Sequence, residues 1–154
     1  MAQCCSDIIA HDILGCFCEP AINNTMAAMV ALKAVEFAFY EACSHLGTRS
    51  DLDAMLAEWN RIHAQYNGEK RFYHNMNHIY EMLMFIDDNL PFDADIKSIY
   101  LLYMAIIYHD FYQKTKHDEE SSAFEAMMFM YGTLECSPED IMWVSNAILA
   151  TKTH

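Results

Sequence analysis

The chain has 154 residues, 54% of them apolar, with 12 Met, four Gly and three Pro, a composition that suits one compact helical domain spanning 1–154 and excludes a disordered or strand-and-turn polypeptide. Twenty-two acidic against nine basic residues leave a formal charge of −13, which argues against nucleic acid as a partner, because phosphate backbones are held by Lys and Arg. The apolar stretch 26–43 is interrupted by Lys33, Glu36 and Glu41, so it does not read as a membrane span, and no Lys or Arg precedes Lys33 to open a signal peptide.

In chain order, the first twenty residues, with Gly15 and Pro20, are the least defined part. Residues 21–46 read as a helix with Lys33, Glu36, Tyr40, Glu41 and Ser44 opposite Met29, Val30, Leu32, Val35 and Phe39, stopped by Gly47. Ser50 is placed to cap the next helix, with Asp51 and Asp53 in its first turn and Leu52, Leu56, Trp59 and Ile62 or His63 along one side, and Tyr66-Asn67-Gly68 ends it. A third helix begins near Tyr73, carries Ile79, Met82, Leu83 and Phe85, and closes at Asn89-Leu90-Pro91. Asp93 or Asp95 opens a long apolar helix running to about Tyr112. Residues 113–118 read as a loop, 119–131 as another helix, and Ser137-Pro138-Glu139-Asp140 as a strong helix opening. No strand alternation and no internal repeat is present, so the fold class is all-α, a helical bundle.

Six cysteines at 4, 5, 16, 18, 43 and 136 include no Cys-x-x-Cys pair, which speaks against structural zinc and for reduced thiols in a cytoplasmic protein. Histidine carries more information. The apolar run 99–108 delivers His109 and Asp110 toward buried space, where a polar side chain needs a partner and a metal ion is one way to supply it. The dipeptide His-Asp also occurs at His11-Asp12 and His117-Asp118, so context must choose among the three. His74 and His78 stand four apart, one turn from each other on a single helical face, with Glu81 three further on. On a continuous helix His109 and Asp110 diverge by about 100°, so both reach one ion only if another element completes the site; the helix of His74 and His78 is the natural candidate.

Four blocks in order, Arg71-Phe72-Tyr73-His74-Asn75-Met76-Asn77-His78-Ile79, Tyr108-His109-Asp110-Phe111-Tyr112, Asp118-Glu119-Glu120-Ser121-Ser122-Ala123 and Ile148-Leu149-Ala150-Thr151-Lys152-Thr153-His154, resemble the ordered signatures of the predicted metal-dependent phosphohydrolases of the HD superfamily. The resemblance runs from about Trp59 to the C-terminus. It implies an HD-domain-like helical bundle and favours His109-Asp110 over the other two dipeptides. It also implies a divalent metal ion held by His78, His109 and Asp110, with a further aspartate from a later helix. No aspartate follows position 140 in the chain, and Asp140 opens its helix rather than ending one, so the expectation is a domain lacking its C-terminal helices or an incomplete site.

Chemistry assigns the remaining expected roles. A bound ion lowers the pKa of water and polarises a phosphoryl oxygen, and nitrogen and carboxylate donors suit Mn, Fe, Ni or Zn. Glu119 is the candidate to position or deprotonate that water, its plain alternative being a first-turn glutamate facing the helix dipole. Arg71 and His74 are candidates for gripping substrate phosphate, with Lys114 a further contact, against the alternatives of a surface arginine, a core histidine and a solvated lysine. The expected activity is hydrolysis of a phosphate ester of a nucleotide or another small phosphorylated metabolite. The competing expectation is a noncatalytic helical module that binds a metal or ligand through an incomplete site.

Overall fold

A computed structural model describes residues 25–49, 52–68, 71, 73–113 and 116–153. Among the described residues six α-helices make up the bundle: α1 (Thr25–Leu46), α2 (Leu52–Tyr66), α3 (Met76–Asn89), α4 (Ile96–Tyr108), α5 (Asp118–Thr133) and α6 (Pro138–Ala150), followed by a 3₁₀ turn at Thr151–Thr153. Among the described residues there is no strand, only an isolated bridge between Thr48 and Leu134. None of the described helices is long and apolar enough to cross a membrane.

The central element is α4. All eight residues from Leu101 to Tyr108 are buried, because α1, α3, α5 and α6 surround the helix on every side. A helix apolar all round belongs in an interior, and here the packing follows the sequence. Its start is set by Asp95, whose Oδ2 accepts from the Ser98 backbone N at 3.0 Å. Opposite it, α1 buries Ala31, Val35, Ala38, Phe39 and Ala42, while Met29 and Val30, expected on the inner face, are exposed. Leu52 and Leu56 of α2 are likewise exposed, and Trp59, Ile62 and Tyr66 supply its buried contacts. The α6 opening is a complete capping box: Ser137 Oγ accepts from the Asp140 N, and Asp140 Oδ2 accepts from the Ser137 N. Asp140 also pairs with Lys97 at 2.7 Å, which commits it to structure.

Two helix ends differ from expectation, and both differences bear on the site. The third helix begins at Met76, not near Tyr73, because the Asn75 side chain accepts from the backbone N of Asn77 and of His78 and so caps it. The fourth ends at Tyr108, not near Tyr112, and Phe111 N donates to the Tyr108 carbonyl in the turn that follows. His74 and the pair His109-Asp110 therefore all lie outside helices, on the segments that join them.

Gly47 ends α1 with φ of 78°, the left-handed conformation that a Cβ disfavours by about 1–2 kcal/mol. A Cβ there would also meet the Glu135 side chain at 3.1 Å. The turn is tied to the end of α5, since Glu135 N donates to the Gly47 carbonyl and Arg49 N to the Thr133 carbonyl. Gly47→Ala is expected to lower stability by about 1 kcal/mol or more, with Gly47→Asn less harmful because Asn tolerates this region. Thermal melting of the two variants checks it: equal midpoints for the glycine and alanine proteins would show that the backbone relaxes at no cost.

Candidate metal centre

Three segments converge at the C-terminal end of α4. The bend before α3 brings His74, the first turn of α3 brings His78, and the turn after α4 brings His109 and Asp110. Their meeting point is one atom. Asp110 Oδ2 lies 2.5 Å from His74 Nδ1, 2.9 Å from His109 Nε2 and 3.7 Å from His78 Nε2. His74, His78 and Asp110 each offer a donor atom, and these atoms all lie within 4.8 Å of one another.

His109 stands in a different relation to the group. It is fully enclosed, and its Nδ1 lies 2.7 Å from the Ile106 carbonyl. A carbonyl only accepts, so the proton of a neutral His109 ring sits on Nδ1 and the Nε2 lone pair faces Asp110 Oδ2. Two lone pairs at 2.9 Å repel unless a positive charge is shared between them. That charge is either a second proton on His109 or a cation at the carboxylate. Its ring also packs against His78, with centroids 5.4 Å apart.

The electrostatics follow from this crowding. Burial by itself pushes the Asp110 carboxyl up, but His109 and His74 outweigh it and hold the group well below the usual carboxylate range. Burial disfavours a charged His109, yet Asp110 and the Ile106 carbonyl raise it above its ordinary value. Burial first, then the neighbouring His109 charge, push His78 down to about 4. His78 is thus neutral at neutral pH, the form that ligates metal. Its Nδ1 is buried, with no hydrogen-bond partner among the described residues.

The residues fit a divalent ion. Two imidazole nitrogens and one carboxylate oxygen are the donor types that Mn, Fe, Ni and Zn accept, and three protein donors leave coordination positions for water. His74 Nδ1 and Asp110 Oδ2, at 2.5 Å, are closer than two ligands of one ion, which sit about 3 Å apart when each is about 2.1 Å from the metal. Taking up an ion would replace the shared proton and part the pair slightly.

Arg71 was expected to grip phosphate. The structure instead turns its guanidinium inward: Nη1 donates to the Asp110 and His74 carbonyls at 2.5 and 3.3 Å, and Nη2 donates to the Phe111 carbonyl at 2.5 Å. Its Cζ lies 4.8 Å above the Tyr66 ring. These bonds occupy the two-pronged face that a phosphate would need. His74, expected to contact substrate, stands within the donor set itself. Glu119 sits half-buried in the first turn of α5, and among the described residues no hydrogen bond or ion pair joins it to the cluster. Lys114 lies outside the described residues, as does the His11-Asp12 pair. Lys152 pairs with Glu120. Glu81, three residues beyond His78, is exposed and takes no part in the donor set.

What the sequence did not show is the supporting layer. Tyr66, buried, donates its hydroxyl to the Ile107 carbonyl at 2.8 Å, and Tyr108 donates to Glu58 Oε1 at 2.6 Å. Ser122 Oγ accepts from the Tyr112 N at 2.9 Å and fixes the exit of the turn. Asp118, read as part of a loop and cap, opens α5 and lies within electrostatic reach of Arg71. Tyr108, Asp118 and Ser122 lay within the ordered blocks without a stated role, and Tyr66 and Glu58 carried no signal beyond a polar atom on a helix.

No family model, no curated protein and no solved structure matches the chain. The donor geometry is therefore the ground for a functional reading.

The protonation states make a pH profile for the metal-free, chelator-treated protein. A neutral buried His78 contributes stability that is present above its ordinary 6.5 and lost as pH falls toward about 4. The raised His109 contributes stability that is present below 6.5 and lost as pH rises through its folded value. His78→Gln should flatten the acid limb between pH 6.5 and 4, and His109→Gln the limb above 6.5. Denaturant unfolding across pH checks this, and parallel profiles for wild type and both variants would remove the assignment.

Proposed function

We propose that the cluster is the divalent-metal site of a phosphohydrolase of the HD type, acting on a phosphate ester of a small, nucleotide-like metabolite. The observation that carries the reading is the convergence of three imidazoles on one carboxylate oxygen, at 2.5, 2.9 and 3.7 Å, from segments separated in sequence. The ordered resemblance of four sequence blocks, which contain these same residues, points the same way. So does the locally buried setting, where an uncompensated carboxylate would be costly.

His74, His78 and Asp110 would hold the ion, and Mn, Fe, Ni or Zn each suit that set. When bound, it supplies an acidified water and a polarised phosphoryl oxygen. His109 keeps its Nδ1 proton on the Ile106 carbonyl and holds its Nε2 2.9 Å from Asp110 Oδ2. His74, 43% exposed, is the member of the set nearest to solvent and so to an arriving substrate. Glu119 is proposed as the base on the resemblance alone.

A direct assay decides among the readings: hydrolysis of p-nitrophenyl phosphate and its bis ester with each of the four metals, before and after chelation. The expected result is metal-dependent turnover that falls at least about 100-fold in Asp110→Ala and His78→Ala, since truncated ligands lose ion and activity together. If Glu119 is the base, Glu119→Gln lowers kcat by roughly 100-fold with metal content unchanged. Stoichiometric metal without turnover on any ester would replace the enzyme by a noncatalytic metal-binding module, a reading favoured by the single carboxylate that the described residues bring to the donor set.

A further inference from the structure

Among the described residues, Arg71 donates to the backbone on both sides of the donor set. His74 and Asp110 are 36 positions apart and lie on different connecting segments. Neither segment is helical at these residues, so neither is held by its own ladder of hydrogen bonds. Carbonyls just past a helix end are left without intrahelical partners, and the Arg71 guanidinium takes those of Asp110 and Phe111, at 2.5 Å each, together with that of His74 at 3.3 Å. The plane is in turn seated 4.8 Å over Tyr66, whose hydroxyl donates to the Ile107 carbonyl in the last turn of α4. Arg71 N also donates to the Gly68 carbonyl at 3.0 Å, which fixes the start of the side chain to the end of α2.

We propose that Arg71 is a positioning residue, a latch that sets the distance between the His74 and Asp110 donors and so the affinity of the site for a divalent cation. The proposal rests on the metal-site reading but makes a different demand on the protein. Two effects of the arginine oppose each other. Its positive charge beside Asp110 repels an incoming cation, so as a charge alone it weakens metal binding. As a three-carbonyl bracket it strengthens binding, because donors held in place lose less freedom when the ion arrives. The sign of the mutational effect therefore separates the two. Lysine preserves the charge but not the planar fork that spans several carbonyls, so it distinguishes them again.

Titration with Co(II) alone, read by its d–d absorption, provides the measurement. With Arg71 as a latch, Arg71→Ala weakens Co(II) binding by about tenfold or more, in the range seen when supports of metal ligands are removed. Arg71→Lys falls between, and the absorption bands of both variants shift. Ser137→Ala, which removes the distant α6 cap, serves as a destabilised control and leaves the affinity unchanged. Equal or tighter binding by Arg71→Ala would show a mere charge and overturn the latch. Amide exchange of the chelated protein gives a second reading that needs no metal: residues 73–78 and 109–113 should exchange faster in Arg71→Ala, with α6 unaffected. Unchanged exchange there also overturns the proposal. If wild type takes up no Co(II) and His78→Ala behaves identically, the metal-site reading fails, while the exchange data still decide whether Arg71 holds the two segments together. Should Arg71→Ala not fold, Arg71→Lys carries the same comparisons.

Discussion

The unbroken burial of the C-terminal two turns of α4 is the constraint on which the site depends. From Leu101 to Tyr108 every side chain is enclosed, and the helix ends where the next residues, His109 and Asp110, are polar. Ending there rather than one turn later has a chemical consequence. On a continuing helix the two side chains would point about 100° apart, whereas in the turn Asp110 Oδ2 comes within 2.9 Å of its neighbour's ring. Hydroxyls hold the end in place: Tyr66 on the Ile107 carbonyl, Ser122 on the Tyr112 amide and Tyr108 on Glu58.

Asp110 is the electrostatic centre of a crowded polar region. Three imidazoles face one of its oxygens while Arg71 binds its backbone carbonyl. Such a group folds only if positive charge is available to it, from a proton or from a metal. In the metal-free protein the protons are divided unequally, with His109 made more basic and His78 kept neutral. The same division prepares His78 as a ligand, because one nitrogen of a neutral imidazole has a free lone pair and need not release a proton to bind.

Support of the site is distributed over parts of the chain that carry no metal chemistry. Arg61 pairs with Glu58 and Glu125 and lies over the Phe111 ring, and Tyr112 donates to Glu125. These groups join α2, α5 and the turn after α4 beneath the cluster. Lys97 and Asp140 do similar work at the far side, between α4 and α6.

Sequence alone determined the all-α class, the approximate order of the helices, the capping box at Ser137 and the stop at Gly47, because these depend on local chemistry: side-chain spacing, a cap within three residues, a conformation that only glycine adopts easily. It also singled out His74, His78, His109 and Asp110 as residues worth attention. The division of labour among them was not legible. His74 and His78 were paired on a helical face, but the Asn75 cap leaves His74 outside the helix, and it reaches Asp110 from a bend. Arg71 looked like a phosphate ligand because a guanidinium fits a phosphate and a set of carbonyls equally well in the abstract. Which it meets depends on where α4 ends and so where the Phe111 carbonyl, 40 residues away, is placed. Burial, tautomer and proton affinity are properties of the assembled surroundings, so only the tertiary structure could decide them.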